Sequence, residues 1–90
     1  METKRICFKT VIHGDLKGEI MALFVDSRKD EIIESFILFE GHNITDIDSI
    51  NERTKNSTKQ EYLTTFNYLK KSYGYNIEVV NSIRTKHYKK

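Results

Sequence analysis

Apolar positions along this chain gather in short runs separated by polar breaks, and the spacing inside each run decides what it forms. In residues 5–12, Ile6, Phe8 and Thr10 fall on one side and Cys7, Lys9 and Val11 on the other, the period of a strand. Residues 18–25 are apolar on both sides, with Ile20, Ala22 and Phe24 against Met21, Leu23 and Val25. A strand without a wet face belongs at the centre of a sheet. Between the two lie Gly14, Asp15 and Gly18, residues suited to a hairpin connection. Residues 32–39 make a third strand. Ile32, Glu34, Phe36 and Leu38 share one face, and Ile33, Ser35, Ile37 and Phe39 the other. It ends in a turn-like cluster of Glu40, Gly41, His42 and Asn43. The simplest arrangement is a three-stranded antiparallel meander.

Residues 44–57 carry Ile44, Ile47 and Ile50 at every third position in a polar background, with Thr45 able to cap and Asp48 in a first turn. A short helix and a loop pinned by three isoleucines fit equally well. The stretch from Glu52 to Ser57 is polar enough to be exposed. The main helix, over residues 58–73, has the clearest signals. Thr58 and Glu61 are spaced as a capping box, and Tyr62, Phe66, Leu69 and Tyr73 form one stripe facing the sheet. Lys70 and Lys71 complement the helix dipole in the last turns, and Gly74 supplies a left-handed stop. Residues 75–83 then read as a fourth strand with Ile77, Val79 and Val80 as its core. The predicted fold class is α+β: the meander, a short helix or loop, one main helix packed on the sheet, and the fourth strand reached by that helix.

One helix covers one face of such a sheet, yet the central strand is apolar on both. The other face calls for the 44–52 segment or a second copy of the chain, and the sequence reading favours self-association.

Ninety residues make one domain, placed at 1–83, with a basic C-terminal tail at 84–90. The net charge is +2, but the tail holds four positive charges and no acid, which leaves −2 on the body. The single cysteine, Cys7, has no partner for an internal disulfide and sits in an apolar run, as a buried inert thiol would. No apolar stretch reaches the roughly 20 residues of a membrane span, and no signal peptide opens the chain, so a cytoplasmic protein is expected.

Candidate chemistry is sparse. Asp46 and Asp48 lack the glycine and glutamate spacing of a calcium loop and read as a solvated turn. His13, His42 and His87 lie in separate connections without zinc-site spacing; His42, at a strand end, is the one histidine placed for a binding or general-base role. Gly14 and Gly18 lack the lysine and setting of a phosphate loop. The reading is therefore non-enzymatic, with no cofactor and no metal. Lys70, Lys71, Arg84, Lys86, Lys89 and Lys90 lie near Tyr73, Tyr75 and Tyr88, a combination able to neutralise phosphates and stack on bases.

The chain also resembles a group of small uncharacterised phage and prophage proteins common in phages of gut bacteria. Their pattern runs through a Gly-Glu-(Val/Ile)-x-Ala-Leu-Phe strand, a Ser-Tyr strand ending in Gly-Gln-His-Gly, a Glu-Tyr helix, and a Gly-Tyr-Asn-(Leu/Ile)-x-Val strand. Gly18 to Phe24 answers the first piece, Ser35, Phe36 and His42 the second, Glu61 and Tyr62 the helix, and Gly74 to Val79 the last. This chain has Leu38, Glu40 and Gly41 where the group carries its polar motif, so only His42 transfers from it. The resemblance implies a setting rather than a mechanism: a phage accessory protein in a bacterial cytoplasm.

The expectation from sequence is a non-enzymatic accessory protein that binds and blocks a host protein, in the manner of counter-defence, with no membrane contact. The alternatives are a nucleic-acid-binding accessory protein using the tail, and an oligomer that sequesters a small anionic nucleotide. The candidate binding residues are Phe36, Leu38, Phe39 and His42, with Lys86, Lys89 and Lys90 in the tail.

Overall fold

The computed structural model describes residues 3–38 and 40–83. The chain folds as α+β, in the order β1 (Thr3–Val11), β2 (Ile20–Lys29), β3 (Ile32–Ile37), β4 (Gly41–Asp46), α1 (Ile47–Arg53), β5 (Thr54–Asn56), α2 (Lys59–Tyr73) and β6 (Asn76–Val79). The six strands form one sheet of order β4-β3-β2-β1-β5, with β6 also paired to β1. Every pairing is antiparallel except β1 with β6. The outer edge of β1 is therefore divided. β6 runs beside Thr3 to Ile6, and β5 beside Lys9 to Val11.

The meander of β1, β2 and β3 and the central place of β2 agree with the pattern of the sequence. Ala22 and Leu23, on opposite faces of β2, are both fully buried. On one face Ile6, Phe8, Ala22, Phe24 and Phe36 pack with Leu69 of α2. On the other, Cys7, Val11, Met21, Leu23, Val25, Ile33 and Ile37 pack with Ile47 and Ile50 of α1 and with Ile83. This second cluster corrects an expectation. The face beneath β2 is closed by α1 and the segment after β6, so the need for a second copy to cover it disappears.

Two strands were not foreseen. β4 occupies positions read as a turn and a loop, because Gly41 at φ +89° closes a hairpin in which Glu40 N donates to Ile37 O at 2.9 Å. β5 lies in a stretch read as exposed. It is held by hydrogen bonds just outside it, Ile12 N to Arg53 O at 2.7 Å and Ser57 N to Phe8 O at 3.1 Å. These bonds, rather than apolar side chains, carry its pairing. The last strand is shorter than expected. Ile77 faces the α2 core, Val79 is largely exposed, and Val80 and Ile83 cross to the α1 side.

The main helix forms as its sequence dictates. Thr58 Oγ1 accepts from Glu61 N at 3.2 Å while Glu61 accepts from Thr58 N at 2.8 Å, and Gly74 ends the helix at φ +71°. Thr10 of β1 joins the cap, sharing a 2.8 Å hydrogen bond with Ser57 and donating to Glu61 at 3.4 Å. At the far end of β2 a register shift against β3 is bridged by Ser27, whose hydroxyl accepts from Glu34 N at 2.9 Å and donates to Phe24 O at 2.6 Å.

Leu69→Ala removes a fully buried side chain at the helix–sheet contact and is expected to cost about 2–5 kcal/mol, measured by urea unfolding. Gly41→Ala meets no steric obstacle, but its positive φ should make it cost about 1–2 kcal/mol in the same assay.

Glu61 adds a pH dependence. The Thr58 backbone N–H holds its carboxyl below the usual carboxylate range against the desolvation that raises it, with Lys55 and the Thr10 and Thr58 hydroxyls adding smaller lowering effects. Its stabilisation is therefore present above the unfolded-state pKa and lost as pH falls through the lower folded-state value. Glu61→Gln should flatten the acid side of a Tm-versus-pH curve and leave the neutral side parallel to wild type.

Candidate functional site: an aromatic face beside an open strand

Alternation along β2, β3 and β4 sends Phe24, Phe36 and His42 to the face that carries α2. Phe36 and His42 are register partners across β3 and β4, with ring centroids 5.0 Å apart; His42 also lies 5.9 Å from Phe24. The end of α2 and the turn after it add three tyrosines. Tyr68 stacks on Phe36 at 5.8 Å, Tyr73 meets the edge of Phe36 at 6.1 Å and of His42 at 5.5 Å, and Tyr75 stacks on Tyr73 at 5.4 Å. Gly74 makes this possible, since its left-handed backbone turns the chain between Tyr73 and Tyr75.

The cluster is anchored below and open above. Phe36 is 2% exposed, whereas Tyr68 and Tyr73 keep 40% and 44% of their surface in solvent, and His42 is exposed as well. Phe24, His42 and Tyr75 line a hollow of about 260 Å³ together with Lys4, the Arg5–Asp26 ion pair, Ser27 and Glu34. Lys4 Nζ stands 5.3 Å above the Tyr75 ring, a cation–π contact at the rim. Arg5 grips Asp26 with two hydrogen bonds, Nη2 to Oδ1 at 2.5 Å and Nε to Oδ2 at 3.2 Å. Beyond His42, β4 continues with no strand on its outer side among the described residues, and Ile44 is 62% exposed on the same face.

A second concavity of about 390 Å³ opens on the α1 face. Its floor is Val11, Met21, Ile37 and Ile50; its rim carries His13, Asp15, Glu40 and Arg53. The hydroxyls of Ser35 and Thr45 in its wall satisfy one another at 2.8 Å. Rim charges of both signs give this hollow no single electrostatic preference. Among the described residues, no group of three or more His, Cys, Asp and Glu side chains is placed to hold a metal ion.

Of the residues singled out from sequence, Phe36 and His42 come together in the aromatic cluster. Leu38 is half-buried against the α2-side core at the start of the β3–β4 turn. Phe39, Lys86, Lys89 and Lys90 lie outside the described residues. Phe24, Tyr68 and Ile44 were not named as site residues, and Tyr73 and Tyr75 entered only as neighbours of basic residues. Tyr68 lies off the apolar stripe of α2, so helical periodicity assigns it to solvent. Its role appears only once β3 is known to run beneath it. No protein-family model, curated protein or solved structure matches this chain.

Two outcomes are expected here. Tyr73→Ala removes exposed ring contacts and should cost about 0.5–1.5 kcal/mol in urea unfolding, while Phe36→Ala empties the anchor and should cost about 3–5 kcal/mol. Burial pushes the Cys7 thiol pKa up, with a smaller opposing effect of Lys9. A thiol reagent should therefore react with Cys7 only under unfolding conditions, read as absorbance against time with and without urea.

Proposed function

We propose that this chain is a non-catalytic binding protein whose working surface is the aromatic face formed by Phe36, His42, Tyr68, Tyr73 and Tyr75. The supporting observation is the cluster's form, five rings fastened to the sheet through Phe36 while the tyrosines stay open to solvent. Rigid, half-exposed tyrosines present a large contact area at little entropic cost, and such side chains dominate the energetics of protein–protein contacts. Glu34 and Asp26 beside the rings are balanced by Lys4 and Arg5, so the partner is selected by apolar and aromatic side chains rather than by net charge.

The resemblance to phage accessory proteins supplies the setting of this proposal: a host protein in the bacterial cytoplasm, bound and blocked. No helix among the described residues is long and apolar enough to cross a membrane. A second reading, single-stranded nucleic acid stacked on the same tyrosines, draws on Lys4 beside Tyr75 and on the basic tail. The two differ in their response to salt, since phosphate contacts release counterions and protein contacts of this kind do not.

A photo-crosslinking amino acid at position 73, expressed in bacterial cells beside a control at position 17, separates them. The protein-binding reading expects a discrete protein adduct from position 73 alone, stable to high salt and retained when residues 84–90 are deleted. A nucleic-acid adduct that vanishes with salt or with the tail would establish the second reading. Equal labelling from both positions would remove the aromatic face as the site.

A further inference from the structure

The outer edge of β4 carries a second message, independent of what the aromatic face binds. In the β3–β4 ladder Ile32 opposes Asp46, Ile33 opposes Thr45, Glu34 opposes Ile44, Ser35 opposes Asn43 and Phe36 opposes His42. One step further, Ile47 N donates to Glu31 O at 2.8 Å, which makes Glu31 and Ile47 a hydrogen-bonded pair. Hydrogen-bonded and non-hydrogen-bonded pairs alternate in an antiparallel ladder. Thr45 and Asn43 therefore bond to β3, while Asp46, Ile44 and His42 turn N–H and C=O outward. Two other contacts agree. Glu34 N is directed to Ser27 on the β2 side, and Ile44 N donates to Asn43 Oδ1 at 3.0 Å rather than to β3.

An antiparallel strand added to this edge must set its own outward-facing residues against His42, Ile44 and Asp46. For two copies of β4 related by a twofold axis, this parity allows centres from His42 to Asp46. Those on His42 and Asp46 oppose like groups, imidazole to imidazole or carboxylate to carboxylate, and leave much of the strand unpaired, so three remain. Centred on Asn43, the pairing opposes Glu40 to Asp46 of the second copy, like charges, and sets Ile44 against an imidazole. Centred on Thr45, it places Ile44 against a carboxylate and runs off the end of the strand. Centred on Ile44, it stacks Ile44 on Ile44, and each His42 faces an Asp46. Asp46 Oδ2 already caps α1 by accepting from Ser49 N at 3.1 Å, leaving Oδ1 to accept from the imidazole. Only this register joins apolar to apolar and donor to acceptor.

We propose that β4 pairs antiparallel with β4 of a second copy, in the register centred on Ile44. Three hydrogen-bonded pairs then supply about six N–H···O bonds across the seam, with the Asn43 side chain giving up Ile44 N to the ladder. The large exposed surface of Ile44 is covered, and Ile32, 44% exposed on the adjoining strand, lies beside it on the same face. The twofold axis stands perpendicular to the sheet, so both aromatic faces point the same way. This association differs from the one expected from sequence. It uses a strand edge, not an uncovered sheet face.

Cysteine scanning reads the register directly. Cys7 is 1% exposed and does not compete, so Ile44→Cys, His42→Cys, Asp46→Cys and a control Lys17→Cys are each oxidised in the full chain. Ile44→Cys should give a covalent dimer, because opposed residues of a hydrogen-bonded pair stand about 5.5 Å apart at Cα, within disulfide range. His42→Cys and Asp46→Cys should form no covalent dimer singly and should crosslink as the double variant. Light scattering on the reduced wild type at rising concentration should approach twice the chain mass, and Ile44→Lys should hold it at one, with an unchanged circular dichroism spectrum. Crosslinking of Ile44→Cys no greater than the control, stronger crosslinking of His42→Cys alone, or a wild type monomeric at every concentration would each overturn the proposal. None of these outcomes bears on the adduct at position 73, so the two proposals fail separately.

Discussion

The structure depends on one constraint: β2 has no side that can face water. Ala22 and Phe24 on one face and Leu23 and Val25 on the other are all buried, so the sheet has to be covered twice. One helix cannot sit on both faces. The chain meets the demand unequally. A fifteen-residue helix lies across β1, β2 and β6, and a seven-residue helix with the segment around Ile83 closes the other side. The short helix suffices because β3 and the hairpin lead into it directly, with Asp46 ending β4 and capping α1 in the same residue.

This explains what was legible in the sequence. The strand period in β1, the double-sided run of β2, the capping box at Thr58 and Glu61 and the glycine stop at position 74 are local signals, and each forms as its chemistry requires. What escaped notice depends on partners distant in sequence. β5 has no apolar residue and exists because β1 offers free backbone groups opposite it. β4 looked like a turn because Gly41, His42 and Asn43 are turn-forming residues, yet a single positive φ at Gly41 spends that tendency and the rest extends. The isoleucines at 44, 47 and 50 fit a short helix and a pinned loop equally well, whereas Ile47 and Ile50 belong to α1 and Ile44 to β4, where it is exposed.

The aromatic face was legible only in part for the same reason. Phe36 and His42 could be named because both stand at the end of a strand pattern, but nothing in sequence order makes them register partners until the hairpin is known. Tyr68, Tyr73 and Tyr75 converge on them because α2 returns its C-terminal end over β3, and Gly74 then folds the chain back toward β1. The proposed binding surface is thus assembled where the β3–β4 hairpin meets the end of α2 and the turn after it, while the buried part of the sheet holds it level.

The covered centre and the open edge are linked. α2 lies over β1 and β2 and reaches β3 only through Tyr68 and Tyr73 at its C-terminal end, so that among the described residues no helix covers Ile44 of β4. A longer helix, or one shifted toward β4, would bury Ile44 and shield the outward backbone groups beside it. Natural edge strands are ordinarily blunted by charge, proline or bulges. β4 has no proline or lysine, and its centre is an isoleucine flanked by an imidazole and a carboxylate two residues away on either side. Those flanking groups reject many registers while favouring one in which each meets its complement. An edge that selects its own copy in this way would place two aromatic faces on one continuous sheet, side by side across the seam between the two β4 strands. At roughly 4.8 Å per strand, the two β3 strands that anchor them lie about 14 Å apart. The effect on binding would be avidity for a partner that presents two sites at matching separation, gained without any new contact within either copy.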